Sequence, residues 1–202
     1  EDYQMGSAYR IIFVHVPSSY MSIFCYGFMA VASAVGIIWK HPLADQSARA
    51  AAPIGAIFTV LALFTGSLWG KPMWGTYWIW DARLTSELVL LFLYFGYMAV
   101  WGAIDDRAKA ARVAAIVALV GAVNLPIIKF SVDWWNTLHQ PASIMKSGGA
   151  SIHPDMLWPL LICIVAFNFY FVTVLLLRIE SQIINRQIRG LQIRMMEEKD
   201  DG

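Results

Sequence analysis

Three kinds of residue in this chain could do chemistry together: a pair of histidines, a cluster of tryptophans, and a few charged side chains at the margin of that cluster. The cluster lies in Trp69 to Glu87, which reads W-G-K-P-M-W-G-T-Y-W-I-W-D-A-R-L-T-S-E. Trp74, Tyr77, Trp78 and Trp80 offer a broad apolar, π-rich surface, and Lys71, Asp81 and Arg83 put charge at its edges. Such a surface suits a flat apolar ligand with ionised margins. A second outer loop, expected at Ser131 to Met156, repeats the recipe with Trp134, Trp135, one acid and His139. The competing reading is an aromatic belt, because Trp and Tyr collect at both water interfaces of a membrane protein.

Among the four histidines, His41 stands beside Lys40 and reads as a solvated loop residue. His15 and His139 each precede a proline by two residues, and both belong to segments able to face the tryptophan cluster. A lone histidine at an interface is commonly structural; two that bracket an aromatic surface form a candidate ligand pair. The metal that fits two imidazoles is one iron with an axial nitrogen on each face of a porphyrin. A structural zinc needs four ligands, and Cys25 and Cys163 lie inside separate apolar runs without a C-x-x-C or C-x-x-C-H partner. Those cysteines read as small buried side chains, neither a thiol relay nor a covalent haem attachment. Arg83 and Lys71 are candidates to pair with propionates, and the indole N–H groups to donate to them. Asp81 is equally open to capping a helix or holding Arg83, and Glu87 to a helix-dipole role. No Walker motif, Ser/His/Asp set or paired carboxylates appear, so hydrolysis has no candidates and the chain is not expected to be a conventional enzyme.

The elements that must position these residues are membrane helices. Hydrophobic residues make up 58% of the chain and charged residues 14%, and the mean hydropathy is +0.56, which excludes an ordinary soluble domain. A net charge of +1 without a basic, aromatic-interleaved stripe sets nucleic acid aside as a partner and leaves membrane lipid. Five apolar runs, near 17–39, 51–70, 86–104, 113–131 and 157–177, approach the ~20 residues that cross a ~30 Å hydrocarbon core. They lack strand alternation, so the expected fold is an all-α polytopic bundle with five transmembrane helices. Gly70, Pro72 and Gly75 are expected to break helical continuity within the tryptophan loop, 69–87. Pro17 is expected in the opening turn of the first span, with His15 just outside it. Pro126 allows a kink in the fourth.

Lys and Arg set the orientation. Ten of the fifteen lie between spans one and two, between three and four, and after span five; the other five lie with the tryptophans. The tryptophan loop is therefore expected outside and residues 179–202 inside, as a cytoplasmic tail after a membrane domain at 1–178. Ile179, Ile183, Ile184, Ile188, Leu191 and Met195 recur at helical spacing in that tail, which reads as a surface helix or a docking helix. No histidine lies mid-span, which argues against a transmembrane electron wire and for haem held at the outer surface. Asn124 and Lys129 are polar positions in span four, and Lys129 is placed to snorkel.

The run W-G-T-Y-W-I-W-D-A-R-L-T-S-E resembles the tryptophan-rich signature of the WWD haem-handling proteins. With G-S-L-W-G-K-P-M-W-G, R-I-I-F-V-H-V-P, L-P-I-I-K-F-S-V-D-W-W-N-T-L-H-Q and D-D-R, residues 1–180 look specifically like the CcmC family of system I cytochrome c maturation. The resemblance implies an inner-membrane protein that holds haem b, non-covalently and transiently, on a periplasmic WWD loop between two axial histidines, which map onto His15 and His139. It implies delivery to the haem chaperone CcmE, beside the ABC-type components CcmA and CcmB and the small membrane protein CcmD. The alternative is a haem exporter, a transmembrane haem transporter subunit working with an ABC complex. Tyr77 stands where the resemblance leads one to expect a third tryptophan. The family has six spans, so the five here lead to the expectation of a missing first one.

Overall fold

The computed structural model describes residues 6–135, 137–139 and 152–200. Six helices follow a short 3-10 turn, Ser7–Ile11: α1 Ile12–Trp39, α2 Pro42–Trp74, α3 Ala82–Ala103, α4 Arg107–Gly121, α5 Asn124–Trp134 and α6 Pro154–Asp200. Helix α1 and α2 form a tight antiparallel hairpin. Lys40 in the left-handed conformation ends α1, and Pro42 at the first position of α2 starts the next helix where its missing N–H is no loss. The face that α2 turns inward carries Ala48, Ala51, Ala52, Gly55, Ala56 and Thr59, all buried. Side chains that small let two backbones approach closely, which drives helix association where lipid removes the hydrophobic incentive.

Around this hairpin α3 packs on α2, α4 packs on both α1 and α3, and α6 lies against α1 and α2. The centre is built from Met21, Cys25, Tyr26, Met29, Tyr94 and Ile128, each fully buried. Its two central tyrosines meet edge to face, with ring centroids 5.0 Å apart. The Tyr94 hydroxyl donates to the Ser22 carbonyl at 2.8 Å, so the hydroxyl is satisfied inside the bundle. Tyr94 lies against Gly55, and Tyr26 against Gly121; a Cβ at either glycine would collide with the facing hydroxyl.

Five helical stretches are long and apolar enough to cross a membrane, so the expected polytopic α-helical architecture is the one observed. Exposed large apolar side chains such as Val31, Ile57, Phe64, Phe92, Val120 and Phe169 face outward from it, where lipid is the solvent. Helix α6 has 47 residues, roughly 70 Å at 1.5 Å per residue, so it runs far beyond one ~30 Å core.

Four local expectations are corrected. Helix α2 does not break at Gly70 or Pro72 but continues to Trp74, with Gly75 as its left-handed cap, because the cap N–H still reaches the Lys71 carbonyl. Pro17 is the sixth residue of α1, and His15 lies inside that helix, since the 3-10 turn from Ser7 already starts the winding. The fourth span is two helices, α4 and α5, parted at Ala122 and Val123; Pro126 has no N–H for the Ala122 carbonyl, which the Leu125 N–H takes instead. Trp134 ends α5 and is not a loop residue. The glycine- and serine-rich part of the second tryptophan stretch, 140–151, lies outside the described residues.

Candidate functional site

The tryptophan-rich end of the bundle gathers the ends of α2 and α5, the starts of α1 and α3, and the segment at Thr137–His139. His15 projects from α1 onto α2. Its Nδ1 lies 3.1 Å from the Ala62 carbonyl and 3.1 Å from Thr65 Oγ1. A carbonyl only accepts, and the Thr65 hydroxyl already spends its proton on the Leu61 carbonyl at 2.6 Å. His15 Nδ1 is therefore the donor, and the free lone pair of the ring is on Nε2. Gly66 makes this seat: a Cβ there would stand 2.9 Å from His15 Cε1. Trp69, one turn on, meets the imidazole edge to face at 5.7 Å.

His139 reaches the same end from the other side of the chain. Its Nδ1 is 3.2 Å from Asp81 Oδ2, and the two side chains are only 17% and 6% exposed. The carboxylate accepts the Nδ1 proton, which again leaves Nε2 with the lone pair. Burial holds this imidazole below its ordinary value; Asp81 pulls the other way and the Arg83 charge adds to the depression. The ring is thus neutral near pH 7. Trp74, the last residue of α2, packs on it at 5.1 Å. His139 and Arg83 both lie within electrostatic reach of His15.

Asp81 takes one role that its sequence position suggests, the cap of α3, and one that it does not, the holding of His139. It is the N-cap of α3, with Oδ1 accepting from the Leu84 N–H at 2.8 Å, while Oδ2 orients His139. Arg83, in the first turn of α3, donates to the Ile128 carbonyl of α5 at 3.3 Å. Lys71 donates to the Gly75 carbonyl at 3.0 Å and stands 5.2 Å from the centre of the Tyr77 ring. It closes the turn after α2 and is exposed.

The aromatics divide into two pairs and a lining. Trp78 and Trp80 meet edge to face at 5.4 Å, and so do Trp134 and Trp135 at 5.7 Å. Trp80, 75% exposed, and Trp134, 57% exposed, stand out into the surroundings. Tyr77 and Trp135 are exposed as well. In contrast, Trp69 and Trp78 bury their indole N–H groups without a partner, which leaves two donors for an incoming acceptor. Gly70 permits the return of the chain over α2, since a Cβ there would stand 3.1 Å from both the Thr76 carbonyl and the Trp74 ring.

This donor set fits a bis-imidazole iron site and not a multidentate metal cage. Among the described residues no three His, Cys, Asp or Glu side chains converge to hold an ion. Two imidazoles with Nδ1 fixed and Nε2 free are what two axial positions require.

A family model described as "Heme exporter protein C" matches residues 1–194. The chain belongs to the CcmC family. It is 58% identical over 193 residues, 96% of its length and 73% of the relative's, to Heme exporter protein C of Bradyrhizobium diazoefficiens. Against the protein of the same name in Escherichia coli K12 it is 54% identical over 183 residues, covering 91% of this chain and 74% of the relative. A ccmC-like mitochondrial protein of cytochrome c biosynthesis from Marchantia polymorpha is 49% identical over 181 residues, 90% of this chain and 75% of that one.

Within this CcmC chain, several residues around the site take roles other than those their place in the sequence suggests. Glu87 is not a dipole residue at an exposed helix start but is buried, accepting from Ser22 Oγ at 2.6 Å across the α1–α3 contact. Asn124 donates to the Ser86 carbonyl at 2.9 Å and ties α5 to α3. Thr65 and Gly66, which seat His15, sit in an apolar run, and only the pairing of α1 with α2 reveals their part. His153 is exposed and accepts from the Asp155 N–H at the start of α6.

Proposed function

We propose that this chain handles haem during c-type cytochrome biogenesis by holding haem b, non-covalently and transiently, at its tryptophan-rich end and presenting it to the chaperone CcmE. His15 and His139 supply the axial nitrogens, both through Nε2. Trp74, Trp78, Trp80, Trp134 and Trp135, with Tyr77, supply the apolar platform. Arg83 is the principal partner for the propionates, joined by the buried indole N–H groups of Trp69 and Trp78 and, at the rim, by Lys71. Asp81 acts through His139 by fixing its tautomer. The observation that carries the reading is the matched state of the two imidazoles, each with Nδ1 engaged and Nε2 unspent.

Haem held there would have its iron bound by the two imidazoles, and the aromatic and charged side chains around them would orient it. The role is cargo handling and not conventional catalysis. The distribution of Lys and Arg supports an inner-membrane topology with the tryptophan loop periplasmic and the C-terminus cytoplasmic, beside CcmA, CcmB and CcmD. A bundle that itself conducts haem is the weaker reading. The buried hydroxyls of Ser18, Thr59, Thr65, Ser86 and Ser131 donate to carbonyls of their own helices, so they do not line a polar path.

Co-expression with CcmE and detection of covalently attached haem on the chaperone tests the delivery step. Replacement of His139 by Ala should abolish loading while the protein still inserts in the membrane. Normal loading by both the His15→Ala and the His139→Ala variants would refute the proposal.

A further inference from the structure

At the opposite end of the bundle from the imidazoles, α2, α3 and α6 line an open cavity of about 570 Å³. Pro53, Met98, Val174 and Leu177 form its apolar wall, and Arg49 and Arg178 its charged rim. Arg49 stands two residues before the apolar run of span two, and Arg178 directly after that of span five, so the rim lies at headgroup depth and the wall at acyl depth.

Both guanidiniums are held in place with donors to spare. Arg49 lies over the Trp101 ring, 4.8 Å from its centroid, a stacking that leaves the N–H edge free. Arg178 donates from Nε to the Ala50 carbonyl at 3.1 Å, which leaves the N–H donors of its two terminal amino groups to spare. The charges of Arg107, Arg178 and Arg189 all reach Arg49. Among the described residues no carboxylate pairs with any of the four. Asp45, one turn before Arg49, packs its carboxylate against Gly36 of α1. Gln182 also faces the cavity with its side-chain oxygen buried and unpartnered; turned over, the amide would present N–H donors instead. Two guanidiniums at the rim of one cavity, neither paired with a carboxylate among the described residues, favour an anion between them.

We propose that this cavity binds an anionic phospholipid, with the phosphate between Arg49 and Arg178 and one acyl chain along Pro53, Met98, Val174 and Leu177. The site is separate from the imidazole end: Arg49 and Gly66 are 17 residues apart on α2, roughly 25 Å of helix.

Native mass spectrometry of the purified full chain, with phosphatidylglycerol and phosphatidylcholine of identical acyl chains supplied in equal amounts, tests this. The proposal expects about tenfold preferential retention of phosphatidylglycerol, lost in an Arg49→Gln/Arg178→Gln double variant. Equal retention of the two lipids by the unaltered protein would overturn it, and so would a preference that survives in the double variant. Displacement of the lipid by millimolar inorganic phosphate would assign a free-anion site and overturn the lipid. Displacement by metal-free protoporphyrin would assign the cavity to a porphyrin dicarboxylate, with the same consequence. The comparison within the unaltered protein stands even where the double variant fails to fold.

Discussion

An imidazole that binds a metal must be neutral and must present a lone pair, and the surroundings of His139 secure both. Burial lowers its proton affinity, and Asp81 accepts a hydrogen bond from Nδ1–H. Because the folded-state value lies below 6.5, the ordinary value, the unfolded chain binds the proton first. This residue therefore costs no stability above pH 6.5, and stability falls as pH drops from there through the folded-state value. Thermal melting of the haem-free protein in detergent between pH 7.5 and 5 should show that decline, and His139→Gln should make it shallower; an unchanged slope would remove the basis for a depressed His139. Asp81→Asn should weaken haem binding about 10–100-fold, the usual cost of losing an outer-shell carboxylate. The melting temperature should change little, since Asn also caps helices. Titration of haem into the purified variant measures the first effect, and calorimetry the second. Gly66→Ala should act on the other imidazole by pushing His15 Cε1 off its seat, with haem affinity falling while Tyr94 and its neighbours stay packed.

At the scale of elements, the bundle depends on close contacts that single methyl groups would disturb. Gly55→Ala would force Tyr94 from its place between α2 and α1, where it holds the Ser22 carbonyl. Overpacking of this kind costs about 1–3 kcal/mol, and a lowered melting temperature in detergent would report it. Tyr94→Phe in that background should not restore the melting temperature, because the ring carbons Cζ and Cε1 meet the new methyl as well as the hydroxyl does. The sequence made the five spans legible, since a ~20-residue apolar run has few other uses. It did not make the helix ends legible. Pro72 and Gly70 read as breakers, yet α2 passes through both. The packing of α2 on its neighbours and the left-handed Gly75 decide where that helix stops. Pro126 signalled a disturbance in span four, and the parting of α4 from α5 a few residues earlier is its consequence.

At the scale of the molecule, the two ends differ in chemistry. Trp69, Trp74, Trp78, Trp80, Trp134 and Trp135 gather at one end with both imidazoles, whereas Trp39 and Trp101 stand at the other. A membrane-impermeant quencher added to sealed right-side-out vesicles should therefore quench most of the tryptophan fluorescence, and far less in inverted vesicles. The reverse result would invert the topology argued from Lys and Arg. The tryptophans and histidines of the site were readable from residue type alone. Their supports were not, because Thr65, Gly66 and Glu87 acquire their roles only when α1, α2 and α3 are brought together.

The most direct test of the central claim is the absorption spectrum of the haem-loaded protein beside its His15→Ala and His139→Ala variants. A low-spin, bis-imidazole Soret band is expected in the unaltered protein; it should shift or disappear in each variant and return in part with added imidazole. A band unchanged in both variants would place the iron elsewhere and contradict the pairing of His15 with His139.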